Sequence, residues 1–190
     1  MTTDTRAALL DAAEHAVRSQ GVDGFSYADL SAAVGIRKAS IHYHFPTKSQ
    51  LTAEVMRRYR ERMTSVCDDI SAGAPDAATC LTGIIDVYRD ALNEGRTLCL
   101  CVALGVSRDS LDAKTMAEIA DFRDGMTDWL QAVFAQGAAD GTIPSVTDPL
   151  DEARATLALL EGAHLAARAS KDVSLFDAAT ALLSARCRAD

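Results

Sequence analysis

The sequence predicts an all-α protein of about nine helices, and three observations support this fold class. Hydrophobic residues make up 48% of the 190 residues but aromatic residues only 5%, a balance that favours closely packed Ala- and Leu-rich helices over sheets. Apolar residues recur at three- and four-residue steps along most of the chain, as on the buried face of a helix. The sequence shows no internal repeat and no pair of strand-like segments.

Four helices are expected in the first third of the chain, over residues 4–20, 27–34, 38–45 and 48–70. Gly21 ends the first of them. Ser26 and Asp29 have the spacing of a capping box, which predicts a helix start at Tyr27, and Gly35 ends that helix after about two turns. Pro46 separates the third helix from the fourth.

Five further helices are expected over residues 77–93, 97–106, 112–139, 150–169 and 173–188. Asp148 followed by Pro149 is a strong helix-start signal. The 97–106 segment is mostly apolar on all sides and should be buried. The longest helix should turn seven large side chains inward: Met116, Ile119, Phe122, Met126, Trp129, Leu130 and Val133.

Charge is distributed unevenly along the chain. The net charge is −8, yet the first 60 residues hold 8 basic and 6 acidic residues, a net +2. No Asp or Glu occurs between Leu30 and Ala53. An acidic chain with a pI near 4.9 is unsuited to nonspecific nucleic-acid binding as a whole, but a local acid-free surface can still approach phosphate.

The acid-free stretch coincides with two short helices joined by a tight turn, the helix-turn-helix arrangement, whose second helix enters the DNA major groove. Ile41 and Phe45, one turn apart, should pack inward. The remaining polar side chains can meet base edges or phosphates, and Lys48 stands at a helix N-terminus that favours anions. A solvated basic surface is the plainer alternative. The candidate DNA-binding residues are Ser26, Tyr27, Arg37, Lys38, Ser40, His42, Tyr43, His44 and Lys48.

The segment "GIRKASIHYHFPTKSQL", preceded by "FSYADLSAAVG", closely resembles the DNA-binding domain of TetR-family transcriptional regulators, over residues 5–55. The sequence departs from the family at His42, where Tyr is usual, and at Arg37, where a Ser or Thr cap is frequent. The resemblance implies a helix-turn-helix domain over residues 1–47 and a ligand-binding and dimerisation domain over residues 48–190.

The resemblance also implies the function. It indicates a repressor that binds an inverted-repeat operator in double-stranded DNA as a homodimer, formed through the last two helices. A small, largely apolar or electrophilic inducer would release it. A transcriptional activator, or a thiol-based sensor of reactive compounds, remains the alternative.

A ligand cavity is expected among the C-terminal helices, although plain core is the more ordinary interpretation of each candidate. The set is mostly apolar, which suggests a small hydrophobic ligand. His164 is its main polar member and can also be read as a hydrogen-bonded core histidine. The candidate ligand-binding residues are Tyr88, Cys99, Leu104, Phe122, Met126, Trp129 and His164.

Five scattered cysteines fit reduced thiols better than a disulfide framework. Cys99 and Cys101 diverge by about 200° on a helix, which disfavours a shared zinc or a mutual disulfide. They read as buried core or, with Arg96 close enough to stabilise a thiolate, as reactive thiols. His42 and His44 likewise point apart, so no metal site is expected.

The sequence contains no recognised hydrolase, zinc-protease or phosphate-loop motif. We therefore expect no catalytic residues, no cofactor and no enzymatic activity. Because the N-terminus lacks the pattern of a signal peptide and no apolar run is long enough to span a bilayer, we expect a cytoplasmic protein without a membrane partner.

Overall fold

The computed structural model describes residues 5–187. Within that range it contains nine α-helices, two short 3₁₀-helices and no strand, which confirms the predicted all-α fold. The α-helices are α1 (Thr5–Gln20), α2 (Tyr27–Val34), α3 (Lys38–His44), α4 (Lys48–Gly73), α5 (Ala77–Ala91), α6 (Leu100–Gly105), α7 (Ala113–Asp140), α8 (Pro149–Ser170) and α9 (Ser174–Arg186). The 3₁₀-helices are Val22–Gly24 and Arg108–Ser110.

Most predicted helix boundaries agree within a few residues, and the largest difference lies between α5 and α6. The predicted helix end at Asn93 is wrong because Asn93 and Glu94 have left-handed backbone angles, with φ of 45° and 58°. The predicted start at Thr97 is also wrong. The Thr97 N–H bonds back to the Leu92 carbonyl at 3.1 Å, so this residue still belongs to the turn. The predicted ends at Asp4 and Arg188 fall outside the described residues.

The described residues form two compact units. The first contains the chain up to Glu61 together with Leu100–Asp121. Its core collects apolar side chains from the first four helices, chiefly Leu9, Leu10, Leu30, Ile41, Phe45 and Leu51. Ion pairs join α1 to α4, including Arg58 with Asp11 at 2.7 Å, and α6 packs against α1.

The second unit contains Arg62–Cys99 and the described residues from Phe122 onward. Its core includes Leu81, Ile84, Leu130, Phe134, Leu157, Leu160 and Phe176. Of the seven side chains predicted to face inward on the longest helix, Met116 and Trp129 are only half-buried. Phe134 on α7 is fully buried and was missing from that prediction. No helix in residues 5–187 combines the length and apolar character needed to span a membrane.

Candidate DNA interface and ligand-binding region

Local sequence signals fix the position of α2. Asp29 accepts a hydrogen bond from the Ser26 N–H at 2.8 Å, and the Ser26 hydroxyl oxygen accepts one from the Ala28 N–H at 3.2 Å. These bonds form the predicted capping box, and hydrogen bonds from Ser26 lower the pKa of Asp29. Gly35, at φ 73°, ends α2 in a left-handed conformation that suits glycine. The turn between the two helices is thereby set by the sequence.

The third helix presents one face to the core and the other to solvent. Ile41 and Phe45 are buried, as predicted. Tyr43 is 84% exposed, and His44 is half-buried. The other exposed candidates from this segment are Arg37, Lys38, Ser40 and His42. The outward face of α3 thus carries cationic, hydroxyl and imidazole groups and no carboxylate.

A depression of about 380 Å³ lies beside α3 and is lined by Ser26, Tyr27, Lys38, His42 and Lys48, among others. The Tyr27 hydroxyl donates a hydrogen bond of 2.8 Å to the Phe45 carbonyl, and burial raises the pKa of Tyr27. The rings of Tyr27 and His42 lie 4.9 Å apart. These contacts tie the end of α3 to the start of α2.

The Lys48 side chain is held in place by contacts with Phe25. Its Nζ donates to the Phe25 carbonyl at 2.5 Å and lies 4.2 Å from the centre of the Phe25 ring. The ammonium group is therefore held at the wall of the depression. Arg37, by contrast, occupies the N-cap position of α3, and among the described residues its side chain makes no capping bond.

In the second unit, three of the candidate ligand-binding residues come together around a buried imidazole. Nδ1 of His164 accepts a hydrogen bond from the Cys99 N–H at 3.0 Å, and Nε2 lies 2.7 Å from the Tyr88 carbonyl oxygen. The rings of Tyr88 and Phe176 flank the imidazole at 5.4 and 5.6 Å. Phe176 was not among the sequence-based candidates, because its contact with α8 depends on tertiary packing.

The other candidates lie elsewhere. Met126 places its sulfur 3.8 Å from Sγ of Cys67. Trp129 is half-buried and donates from Nε1 to the Ser71 hydroxyl at 2.9 Å. Phe122 is buried in the second unit, whereas Leu104 is buried in the first. The described contacts therefore divide the predicted set into separate groups.

All five cysteines are free thiols, and all but the half-buried Cys187 are buried. Burial raises the pKa of Cys67 to about 12, and it also raises the pKa of Cys80 and Cys187. Arg96, which the sequence placed near Cys99, is engaged with the Asn93 carbonyl at 3.2 Å and with the Glu94 carboxylate. Within residues 5–187, no group of three His, Cys, Asp or Glu side chains could hold a metal ion.

Comparison with known proteins agrees with this geometry. The model of the bacterial regulatory proteins of the tetR family matches residues 9–55. A TetR-family transcriptional regulator from Agrobacterium tumefaciens is 30% identical, with a TM-score of 0.91 over 97% of this chain and 98% of that one. A search of curated protein sequences found no significant match.

Two more distant structures share the fold. A TetR transcriptional regulator from Legionella pneumophila is 24% identical, with a TM-score of 0.87 over 99% of this chain and all of that one. The reduced form of E. coli NemR is 21% identical, with a TM-score of 0.82 over 96% of each chain.

The fold and the α2–α3 surface define a helix-turn-helix DNA-binding regulator of transcription, a class that is not enzymatic. More specifically, the chain belongs to the TetR family of transcriptional regulators. Members of this family bind DNA operators and small-molecule ligands and act as dimers.

Proposed function

We propose that this protein is a ligand-responsive repressor that binds an inverted-repeat operator in double-stranded DNA as a homodimer. The observation that carries the proposal is the outward face of α3, which is free of acidic residues although the whole chain has a net charge of −8. A carboxylate on that face would lie against the DNA backbone. The protein would act in the cytoplasm, where its operator is found.

The candidate residues on α2, α3 and the adjoining turns would make different kinds of contact with DNA. Arg37 and Lys38, exposed at the start of α3, would reach base edges, since the first residues of a recognition helix enter the major groove most deeply. Ser40, His42 and His44 would contact bases or phosphates. The exposed Tyr43 hydroxyl would donate to a phosphate.

The remaining three candidates, Ser26, Tyr27 and Lys48, line the depression beside α3. They would position α3 as well as approach the DNA backbone. The proposed DNA-binding domain covers residues 1–47. The proposed ligand-binding and dimerisation domain covers residues 48–190.

The outer faces of α8 and α9 support dimerisation. Leu165 on α8 and Leu175 and Leu182 on α9 are exposed leucines. Small exposed residues accompany them on both helices, namely Ala155, Ala158, Gly162 and Ala166 on α8 and Ala178 and Ala185 on α9. Such a surface permits close helix approach, and two copies would form a four-helix interface around a two-fold axis. Sedimentation analysis should show a dimer at micromolar concentration.

The inducer would be small and largely apolar, and it would bind in the second unit against Tyr88, Cys99, Phe122, Met126 and Trp129. Leu104, the remaining sequence-based candidate, is buried in the first unit. His164 would take part only by giving up a bond, because both of its ring nitrogens meet backbone groups. Inducer and operator binding would be coupled reciprocally, each weakening the other.

The alternative mechanism is thiol-based sensing through Cys99 or Cys101. The burial of both thiols and the engagement of Arg96 elsewhere favour the apolar inducer instead. Mapping of thiol alkylation on the native protein separates the two mechanisms. A thiol sensor requires Cys99 or Cys101 to be labelled faster than the half-buried Cys187.

The repressor proposal is tested by selecting bound duplexes from a random DNA pool at two salt concentrations. An enriched inverted repeat is expected. Binding without enrichment that disappears at higher salt would reduce the interaction to phosphate attraction and contradict the proposal. A reporter gene under the selected operator then distinguishes repression from activation.

Two variants localise the interface. Replacing Lys38 and Tyr43 together by Ala should abolish binding to the selected operator, because both side chains lie on the outward face of α3. Arg62→Ala is the matched control. It removes a cation from an exposed position on α4 in the second unit that the proposal assigns neither to the DNA surface nor to the dimer interface, and it should leave operator binding unchanged.

A further inference from the structure

His164 is a fully buried titratable side chain on α8 whose two ring nitrogens both meet the main chain of other segments. The Cys99 N–H donates to Nδ1 at 3.0 Å. The Tyr88 carbonyl lies 2.7 Å from Nε2. These two backbone groups lie on either side of the α5–α6 connection, defined here as residues 92–99. One side chain therefore attaches both ends of this connection to α8.

The two bonds allow only one protonation state of the ring. A backbone N–H can only donate, so Nδ1 must keep its lone pair. A carbonyl oxygen can only accept, so Nε2 must carry the proton. His164 is accordingly held as the neutral Nε2–H tautomer. A proton added at Nδ1 would face the Cys99 N–H, donor against donor, and would place a charge inside the core.

The Tyr88 carbonyl is accessible to His164 because α5 ends irregularly. The Leu92 N–H bonds to the carbonyls of Arg89 and Asp90 rather than to Tyr88 one helical turn back. The connection that follows contains two left-handed residues other than glycine, Asn93 and Glu94. Left-handed backbone is unfavourable for residues that carry a Cβ, so this conformation persists only while surrounding bonds hold it.

We propose that His164 is a proton-sensitive latch: the neutral ring holds the α5–α6 connection to α8, and proton uptake at mildly acidic pH releases it. The ring is faced by Tyr88 from α5, by the Cys99 N–H from the connection and by the Phe176 ring from α9. Two ion pairs lie on these elements, Arg89 with Asp177 at 2.7 Å and Arg123 with Glu161.

The size of the effect follows from proton linkage. The latched form takes up no proton at His164, whereas the released form has an ordinary histidine that titrates near pH 6.5. Acid therefore favours release, and the latch is fully effective only above that pH. Between pH 7.5 and pH 5.5 the opening constant of the connection should rise about tenfold.

Hydrogen exchange of the full-length protein tests the latch, with rates corrected for the intrinsic effect of pH. In the wild type, the peptide covering residues 89–103 should lose about tenfold in protection between pH 7.5 and pH 5.5. His164→Gln, which cannot titrate in this range, should exchange faster at both pH values and show no such change. His15→Gln, at an exposed position on α1, is the matched control and should behave as the wild type.

A second measurement needs no variant and holds even if His164→Gln fails to fold. Nitrogen NMR of the wild-type imidazoles reports directly which ring nitrogen carries the proton. We expect the Nε2–H tautomer at pH 7.5. An Nδ1–H tautomer would overturn the proposal, as would a ring that becomes charged while the α5–α6 connection keeps its protection.

Discussion

Two tyrosines in the DNA-binding unit should separate positioning from contact. The Tyr27 hydroxyl is committed to the Phe45 carbonyl at 2.8 Å. Tyr43 is 84% exposed on the outward face of α3. Each can be changed to Phe, which removes one oxygen and keeps the ring. The pair of variants therefore tests whether the two hydroxyls have the different roles that we propose.

For Tyr27→Phe we expect a loss of stability. The Phe45 carbonyl loses its partner in a half-buried setting, which costs about 1 kcal/mol, or about 2–4 °C in Tm for a chain of this length. Operator affinity, measured well below Tm, should fall less than threefold. The ring contact with His42, at 4.9 Å, remains.

For Tyr43→Phe we expect the opposite pattern. An exposed hydroxyl contributes little to folding, so Tm should stay within about 1 °C of the wild type. Loss of a phosphate contact worth about 1 kcal/mol should weaken binding about fivefold per half-site, or about 25-fold for a dimer. Fluorescence anisotropy with a labelled operator and thermal denaturation provide both readouts. If Tyr27→Phe weakens DNA binding as much as Tyr43→Phe, the assignment of roles is refuted.

Three further predictions concern packing, acid stability and assembly. Gly137→Ala should cost about 1–3 kcal/mol by overpacking, because its Cβ would lie 2.6 Å from a neighbouring isoleucine side chain. Gly125→Ala on the same helix, where the structure places no described atom within 4 Å of the added carbon, should instead raise Tm, and equal effects would contradict this. Hydrogen bonding from Arg57 helps to hold the pKa of Glu54 at about 2. The ion pairs of Glu54 should therefore contribute about 1–2 kcal/mol above pH 4.5 that is lost as the pH falls toward 2, and Glu54→Gln should unfold with a correspondingly smaller acid dependence. Leu182→Glu, at a position 82% exposed, should convert the proposed dimer to a monomer in sedimentation analysis while helix content stays unchanged, and a persistent dimer would place the interface elsewhere.

Sequence reasoning succeeded where the structural signal is local. The capping box of Ser26 and Asp29, the left-handed Gly35 and the Asp148 cap of α8 all depend on residues within three positions of each other. Helix periodicity likewise placed Ile41 in the core. Signals of this kind are present in any short window of the sequence, so they need no knowledge of the tertiary fold.

The same reasoning could not find the bonds between distant segments. His164 meets a backbone group 65 positions away at Cys99 and another 76 positions away at Tyr88. Both partners are backbone groups, so no residue type in the sequence indicates that these hydrogen bonds form. Lys48 shows the same difficulty on a smaller scale. Its bond to the Phe25 carbonyl spans 23 positions, whereas charge pattern alone predicted only an anion contact.

In the first unit, the residues that fix the orientation of α3 are different from the residues that we propose to contact DNA. Phe25 and Phe45 both bury their rings in the core, while their carbonyls accept hydrogen bonds from Lys48 and Tyr27. The orientation of α3 is therefore fixed by the main chain and by inward side chains. Outward residues such as Lys38 take no part in these bonds, and they can change without loss of the fold. Substitutions of these outward residues should consequently alter which operator is bound while leaving Tm unchanged. Selection of bound duplexes with such variants can therefore measure base preference independently of protein stability.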